Sequence, residues 1–311
     1  MAVVLGRNSF VKLGEEGTWG TAVSRTVSNR IISTSLTRTQ ERSQTTFLST
    51  GAAAFSQGFF DGNEIAGGTL EVPIYYEGSG MLIKAAMGSV NTTGSGPYYH
   101  GYAPATDLPS LTIELQRGSS EAEIFEGCII SSMTLSVEAG SEMTASFDII
   151  AQTAQTRAGS ASASFGDGRQ VLHYEAGQLN FNSVNYTLKS LELNLDNKID
   201  RRDLLGSKLT AEPLITDIRE VTLTVTLDLE DNNLYNAQLA GTQGTPDITF
   251  QNSDGDQLRI KLYNAVITEY SDELNTVGRI ERTVTFQGLS SPANPAFEII
   301  IANADSSAIA N

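Results

Sequence analysis

The chain is poor in the residue types that catalytic and metal sites need. It holds one cysteine, Cys128, and two histidines, His100 and His173, so it can form neither an internal disulfide nor a zinc site of His and Cys ligands. Cys128 begins an apolar run and is expected to be a small buried side chain. Both histidines adjoin tyrosines in predicted loops, where packing or turn roles are expected. Phosphate-binding glycine loops and the Gly-x-Ser-x-Gly nucleophile motif are absent, so we expect no enzyme, no metal site and no cofactor.

Basic residues and long apolar runs are also scarce. The chain has 20 Lys and Arg against 36 Asp and Glu, a formal net charge of -16. The excess of acid is shared by both halves, with 8 basic and 15 acidic residues in 1–155 and 12 and 21 in 156–311. Binding to nucleic acid or to an anionic membrane needs a basic surface, and a membrane helix needs about 20 apolar residues, so neither is expected. No charged segment precedes an apolar stretch at the start, so a chain made in the cytoplasm without a signal peptide is expected.

The sequence does contain a repeat on the scale of a domain. Residues 69–77 and 222–230 are alternating strands, and each leads without a gap in the alignment into a short helix, at 80–88 and 233–241. Two later segments also repeat, 128–131 as 265–268 and 142–149 as 279–286. Small polar residues at 152–170 are typical of a linker. The prediction is a mainly β chain of two tandem β-sandwich domains, 1–155 and 156–311, each with one short helix.

Each predicted copy has a long segment between its first two sheet strands, at 39–66 and 197–219. Connections of this length are rare in compact domains unless they have a function. We interpret both as arms that contact a neighbouring subunit, and the flanking acids suggest an intersubunit ion pair for the arginines of the second. The arm residues singled out are Phe47, Phe55, Phe59 and Phe60 in the first arm and Arg201 and Arg202 in the second. The apolar segment 297–301 is likewise expected to add a strand to a neighbouring chain.

Strand alternation divides the predicted sheets into a core face and a polar face. Ile32, Val266 and Arg282 fall on core-facing positions. The polar face is rich in Ser and Thr and has one base, Arg279, beside ten acids: Glu71, Glu138, Glu142, Asp148, Glu192, Asp196, Asp228, Glu269, Glu273 and Glu281. Sheets that face solvent usually mix both charges, because opposite charges on adjacent strands attract. A face with acids alone suits a surface that must repel a polyanion, and the alternative is the plain solvated face of an acidic protein.

Several segments resemble the tail tube proteins, or major tail proteins, of long-tailed bacteriophages. They are VKLGEEGTWGTA at 11–22, GGTLEV at 67–72, the helix at 80–88, LPSLTIE at 108–114 and the strands at 127–137 and 144–150. The resemblance covers residues 8–151 well. The chain as a whole resembles the tandem-domain type of the family, with the second copy as a diverged duplicate.

The resemblance implies an architecture and a set of partners. In that family the sheets of neighbouring domains join edge to edge into a β-barrel shared between subunits, and two-domain members form trimers that make a pseudo-hexameric ring. The ten acids would then line the lumen through which viral double-stranded DNA passes, and the arms would contact the next ring. The implied partners are further copies of the chain, the tape measure protein and the tail terminator and tip proteins. The location would be the virion tail, and the two-domain form resembles that of siphophages, whose tails are non-contractile.

Two other interpretations remain open from the residues alone. A β-rich binding or adhesion module of a surface assembly would need exposed aromatic platforms, and Trp19 is the only tryptophan. An acidic β-sandwich hydrolase could use paired carboxylates for glycoside cleavage, but the acids here are spread over both copies.

Overall fold

A computed structural model describes residues 5–45, 58–119, 121–165, 170–174, 177–272 and 279–309. Over these residues the protein is mainly β and of the β-sandwich type, as the sequence predicts, with two short α-helices. Neither helix is long and apolar enough to cross a membrane.

The strands and helices follow the predicted order closely. In the first half they are β1 Phe10–Glu15, β2 Val27–Arg30, β3 Ser33–Thr34, β4 Thr37–Thr45, β5 Gly58–Pro73, α1 Gly80–Met87, β6 Gly88–Gly94, β7 Tyr98–Pro104, β8 Leu111–Arg117, β9 Glu121–Glu138, β10 Thr144–Ala151 and β11 Thr153–Ala154. In the second half they are β12 Gln178–Phe181, β13 Val184–Asp196, β14 Ile199–Arg202, β15 Ala211–Ile215, β16 Glu220–Asp228, α2 Asn233–Ala240, β17 Asp247–Gln251, β18 Gln257–Leu262, β19 Ala265–Asp272, β20 Glu281–Gly288 and β21 Phe297–Asn303.

One large antiparallel sheet runs through both halves. In the first half its order is β3, β5, β10, β9, and in the second half the equivalent strands follow as β13, β16, β20, β19. The halves join where β9 pairs with β13, from Ser190 opposite Glu138 to Asp196 opposite Ser132. We call this joint the seam. The duplicated halves therefore share one continuous sheet, and within the described residues that sheet stays open at both edges.

Two further sheets complete the fold. The second sheet holds β6, β7, β21, β18, β17, β12 and the start of β13, and the third holds β2, β1, β8, the start of β9, and β11. β21 lies between β18 of its own half and β7 of the first half, with Ile299 opposite both Ile260 and Tyr102. The expectation that residues 297–301 extend a neighbouring chain is wrong, because both edges of β21 are already paired within the chain.

Alternation of side chains builds the core. β16 alternates buried Val221, Leu223, Val225 and Leu227 with half-exposed threonines, so that one face packs inward. These side chains join those of the other two sheets and of α1 in one cluster of buried residues. Cys128 is fully buried, as predicted, and burial raises the pKa of its thiol well above the usual range.

The predicted linker is a strap that packs on the first half. Backbone N–H groups of Gln155 and Ala158 donate to carbonyls of Ile124 and Ala122, at 2.8 and 3.0 Å, alongside the start of β9. Further on, Leu172 is completely buried, and its backbone bonds to Ile74 and Met143 close the other end of the large sheet. The described start of the segment is therefore hydrogen-bonded to the first half, although most of the side chains of 155–165 are exposed.

Three placements differ from the sequence prediction. Ile32 is half exposed although its register faces the core, because β3 lies at an open edge of the sheet. Val266 lies opposite Gln287, and Ile267 is the buried residue, because a β-bulge shifts the register before Glu269. His100 lies within β7, not in a loop, and is buried between Thr92 and Asn303, to which its ring nitrogens bond at 2.9 and 3.1 Å.

Candidate assembly surfaces

The large sheet presents one polar face along its whole width. Nine of the ten predicted acids lie in described parts of the chain, and all nine are exposed or half exposed; Glu273 lies outside the described residues. On the strand pairs that carry them, Ser and Thr side chains stand beside the carboxylates, as between Thr224 and Thr285, whose hydroxyl oxygens are 3.2 Å apart. These nine side chains are therefore accessible, as residues of a polar face need to be, and their position in a lumen stays a prediction.

In the first half, hydroxyl groups bond the acids of this face. The Asp148 carboxylate accepts from Thr69 Oγ1 at 3.0 Å and from Ser132 Oγ at 2.7 Å, which ties β5, β10 and β9 together. Glu71 accepts from Ser33 Oγ at 2.7 Å across to β3. Charge-assisted bonds of this kind are stronger than neutral ones, so the acids also fix the strands in register.

In the second half, two lysines that the sequence interpretation missed reach the same face. Lys189 Nζ lies 2.6 Å from Asp228 Oδ1 and also pairs with Glu281, and Lys198 Nζ lies 2.7 Å from Asp196 and 3.0 Å from Glu220. Lys189 is the extra residue of a β-bulge in β13, and Lys198 has a positive φ of 52°, so strict alternation cannot place either one. Arg279, the one predicted base, lies 3.6 Å from Asp228.

These pairs shift the pKa values of their members. The hydrogen bonds that Lys189 donates to Asp228 and Glu281 raise the pKa of Lys189, and Lys189 in turn lowers the pKa of Asp228. Asp196 and Glu220 raise the pKa of Lys198. Partial desolvation acts to raise the pKa of Asp196, but the bonds from Lys198 outweigh it and the net shift is downward. Lys189, Lys198, Asp196 and Asp228 are therefore charged near neutral pH, and each lysine cancels part of the acidic charge locally.

Both predicted arms are β-hairpins at the same end of the large sheet. In the first, β4 pairs with the outer part of β5, from Thr37 opposite Gly67 to Thr45 opposite Gly58; in the second, β14 pairs with β15. Phe59 and Phe60 are exposed on the first arm, and Phe47 and Phe55 lie outside the described residues.

The two arms bond to each other within one chain. Asn63 Nδ2 donates to Asp203 at 3.0 Å, and Arg201 donates to the carbonyl of Glu64. Arg201 also pairs with Asp203 at 2.8 Å within the chain, and the intersubunit ion pair of the two arginines stays a prediction. Arg202 is exposed. Asp61 of the first arm forms ion pairs with Arg42 of the same arm and with Lys208 of the second arm, so it links the two arms. Hydrogen bonds from Lys208 and Arg42 lower the pKa of Asp61.

The edges of the large sheet differ from its seam. Among the described strands, β3 pairs only with β5 and β19 pairs only with β20; the outer edge of β19 has one isolated bridge, between Ala265 and Gly244 at its start. β19 is the counterpart of β9, and β3 is the counterpart of β13, so the two open edges are the same two strands that meet at the seam. At each edge of the sheet, the counterpart of one seam strand is therefore left without the partner that the seam strand has.

The two helices also differ in how far the rest of the chain covers them. Seven of the eight residues of α1 are buried, whereas Leu234 alone is buried in α2, and Tyr235 and Leu239 are exposed. The second half covers α1, since Asn197 Nδ2 donates to the carbonyl of Ala86 at 3.0 Å. Among the residues that the structure describes, no equivalent segment covers α2, which lies beside β19. The surface formed by α2 and β19, which we call the open end, therefore lacks the cover that its counterpart has.

The described residues form a β protein whose repeated sheet has two open edges, one polar face and two arms at one end. A family model described as phage tail tube protein matches residues 6–288 of the chain. The chain therefore belongs to the phage tail tube protein family, whose members are structural components of the virion tail. No curated protein matches the chain.

Proposed function

We propose that this chain polymerises into the tail tube as trimeric rings, with residues 1–155 and 156–311 as the two copies that occupy equivalent places. The observation that carries the proposal is the seam. β9 of the first copy pairs with β13 of the second, and the open edges β19 and β3 are the counterparts of these strands. Pairing β19 of one chain with β3 of the next would repeat the seam between chains.

The direction of this pairing is consistent with a ring. The seam joins two different edges, so its repetition is a heterologous contact, which closes into a ring when the rotation per copy divides the circle. Pairing also removes open sheet edges, which otherwise attract further strands. The open end supports the same contact, because Tyr235 and Leu239 of α2 are exposed beside β19 and Ile32 is exposed beside β3. Apolar side chains thus flank both edges of the proposed joint.

The polar face then lines the shared barrel. Double-stranded DNA carries about one negative charge per 1.7 Å of its axis, so a wall with excess acid repels it and leaves no basic groove in which it would bind. The bases of this face support such a wall, because Lys189, Lys198 and Arg279 are each held by acids. The hydroxyl-rich surface offers small polar groups that exchange readily with water. This is the proposed basis on which DNA moves through the channel without adhering.

The two end surfaces of a ring are the proposed contact sites for the next ring and for the other tail proteins. The arms project from one end and are proposed to contact the next ring, with Phe59, Phe60 and Arg202 exposed for that purpose. The first and last rings of a tube would offer the same surfaces to terminator and tip proteins. The tape measure protein would occupy the channel before DNA does.

Electron microscopy of the purified protein over a concentration series tests polymerisation directly. Hollow tubes or rings are expected, and compact monomers at every concentration, with a tail-tip initiator supplied, would overturn the proposal.

Cysteine cross-linking tests the proposed joint. Thr37 corresponds to the end of β13 that meets Ser132, so Thr37→Cys is combined in turn with Glu269→Cys and with Ser271→Cys. Facing residues on paired antiparallel strands have Cβ atoms about 4.5–5.5 Å apart, within reach of a disulfide once the strands adjust. Oxidation should link three chains in one of the two variants, while the control Thr37→Cys with Ser253→Cys, on the β17–β18 turn, stays unlinked. Tubes that form without any linked chains would show that the joint is elsewhere.

A further inference from the structure

The two open edges of the large sheet differ from the seam in one layer of side chains. At the seam, Leu135 of β9 lies opposite Ala145 of β10 on one side and opposite Leu193 of β13 on the other. All three side chains are completely buried. Directly opposite residues of antiparallel strands share a face of the sheet, so these three form one apolar layer of the core.

The same positions are polar at the open edges. Asp272 of β19 lies opposite Arg282 of β20, and this pair is offset from the seam pair by 137 positions, since 272 − 135 and 282 − 145 give the same number. On β3, Thr34 is the counterpart of Leu193, because the residues opposite them on β5 and β16 align in the repeat. A joint that repeats the seam would therefore enclose a carboxylate, a guanidinium and a hydroxyl where the seam encloses two leucines and an alanine.

Arg282 is buried with part of its hydrogen-bonding capacity unused. Its side chain is completely buried, and Nη1 donates to the carbonyl of Asp231 at 2.7 Å and lies 3.5 Å from the carboxylate of the same residue. Its guanidinium carbon lies 5.4 Å from the centre of the Tyr186 ring. Nε and Nη2 have no hydrogen-bond partner among the described residues. Unpaired donors on a buried cation are unfavourable, so this site favours an arrangement that brings a further carboxylate to it.

Asp272 is placed to supply that carboxylate. It lies opposite Arg282 and on the same face of the sheet. In the single chain the ion pair of Arg282 is with Asp231, and Asp272 stays exposed to water at the open edge. β3 of a neighbouring chain would cover this edge and remove the water. The Asp272 carboxylate would then accept from Nε and Nη2 of Arg282, which are spaced for the two oxygens of one carboxylate.

We propose that Asp272 and Arg282 form a charged layer inside the joint between chains, and that this layer fixes the register of β19 against β3 of a second copy. The proposal rests on the proposed function. In the pairing that repeats the seam, Thr34 of the second copy faces the charged layer. A slip by two residues would place the larger apolar side chain of Ile32 or Leu36 there instead. Specifying register is the best-attested use of a polar group in an apolar interface.

A double-mutant cycle on assembly tests the pair. Asp272→Leu should leave the unfolding midpoint of the monomer nearly unchanged, because the side chain is exposed. It should raise the concentration needed for tubes at least tenfold, because the joint then encloses Arg282 without its carboxylate. Arg282→Met should raise this concentration as well, because it leaves Asp272 covered without a cation. The double variant should assemble at the parent's concentration or below, since apolar side chains then replace both members of a buried pair.

The matched control is Asp107→Leu. It makes the same change at an exposed aspartate in the loop after β7, away from both open edges, and should assemble like the parent.

Register gives a second readout, which a residue that only stabilises the fold would not change. In the parent background, Thr37→Cys should link with Glu269→Cys or with Ser271→Cys, but not with both. In the background of the double variant Asp272→Leu and Arg282→Met, both combinations should link, because the two slipped registers are no longer disfavoured.

Two results would overturn the charged layer and leave the proposed function standing. One is assembly of Asp272→Leu at the same concentration as Asp107→Leu. The other is a double variant that assembles no better than the weaker single variant, because the two residues would then not act as a pair. If Arg282→Met does not fold, Asp272→Leu and its control decide the matter. A parent chain that forms neither tubes nor rings overturns the proposed function and the charged layer with it.

Discussion

Ser131 and Thr268 occupy the same position in two copies of one β-bulge. The Ser131 hydroxyl donates to the carbonyl of Asp148 at 3.1 Å, and the Thr268 hydroxyl donates to the carbonyl of Thr285 at 3.3 Å. Both pairs are offset by 137 positions, since 268 − 131 and 285 − 148 give the same number. A bulge is a local irregularity, so its repetition with the same bond shows that the halves share backbone detail as well as strand order.

The lysine at the other bulge provides a test of the polar face. Lys189→Met removes the cation that faces Asp228 and Glu281. The pKa of Asp228 is lowered from 3.8, so its contribution is present above that pH and is lost as the pH falls through its folded pKa. The pKa of Lys189 is raised from 10.5, so its contribution is present below that pH and is lost as the pH rises through its folded pKa. The variant should therefore be less stable than the parent between these limits.

Thermal unfolding at several pH values measures this difference. It should be largest near neutral pH, should shrink as the pH falls below 3.8 through the lowered pKa of Asp228, and should shrink in about 1 M salt, because exposed ion pairs are screened. Lys261→Met is the control, because Lys261 is a partly exposed lysine on β18, away from this face. Equal loss at every pH and salt concentration would show that Lys189 acts through packing alone.

Gly80 tests how the chain's last described segment docks on the first half. A Cβ at this position would lie 1.8 Å from the carbonyl oxygen of Ala308 and 2.3 Å from the hydroxyl of Tyr102, which themselves bond at 2.8 Å. Gly80→Ala should therefore release residues 304–309, although alanine favours the helix by about 1 kcal/mol. Limited proteolysis should cut this segment faster. Gly17→Ala, where nothing lies within 4 Å of the added Cβ, should behave like the parent.

Removal of β21 should destabilise both halves together. The strand buries Phe297, Ile299 and Ile301, each contributing roughly 1.5–3 kcal/mol, in total a large part of the 5–15 kcal/mol typical of a whole domain. A chain truncated after Ser291 should be largely insoluble or should unfold without a cooperative transition. Ile299→Ala is the milder version and should lower the free energy of unfolding by about 2–5 kcal/mol. Urea unfolding with the parent midpoint in both variants would contradict the observed pairing.

Leu172 tests whether the strap belongs to the folded unit. Its side chain is completely buried and its backbone bonds to Ile74 and Met143, so Leu172→Ala should lower the free energy of unfolding by about 2–5 kcal/mol. Ser162→Ala, in the exposed middle of the strap, should change stability by less than about 0.5 kcal/mol. Equal urea midpoints for the two variants would indicate a loose linker instead.

The features that could be predicted from the sequence are those that depend on residues close together in the chain, such as strand faces and helix ends. Alternation placed Glu192 and Asp228 on the polar face, and both helices begin and end where the pattern predicted, at Gly80–Met87 and Asn233–Ala240. Arg282 also lies on the core face as its register required, fully buried with Nη1 bonded to the carbonyl of Asp231 at 2.7 Å. These features follow from a period of two or of 3.6 residues.

Features that depend on distant residues or on irregular backbone were not predictable. A bulge moves Lys189 and Val266 to the polar face, and nothing in the local pattern marks where an extra residue enters a strand. One partner of β21 is β18 of its own half and the other is β7 of the first half, so an apolar segment beyond the repeat gave no sign of which edges it would join. The ion pair that Arg201 forms within the chain was not predicted, because charge alone does not show that the two arms touch.

The position of β21 also sets an order of events during synthesis. Its partner β7 ends at Pro104 and β21 begins at Phe297, so about 190 residues separate the two in the growing chain. At 5–20 residues per second the ribosome needs roughly 10–40 s to cover that distance. Throughout this interval the edge of β7 has no partner strand, although most of its half has already emerged. The first half is therefore born with an open sheet edge, and each nascent chain has to keep that edge from other chains until its own β21 arrives.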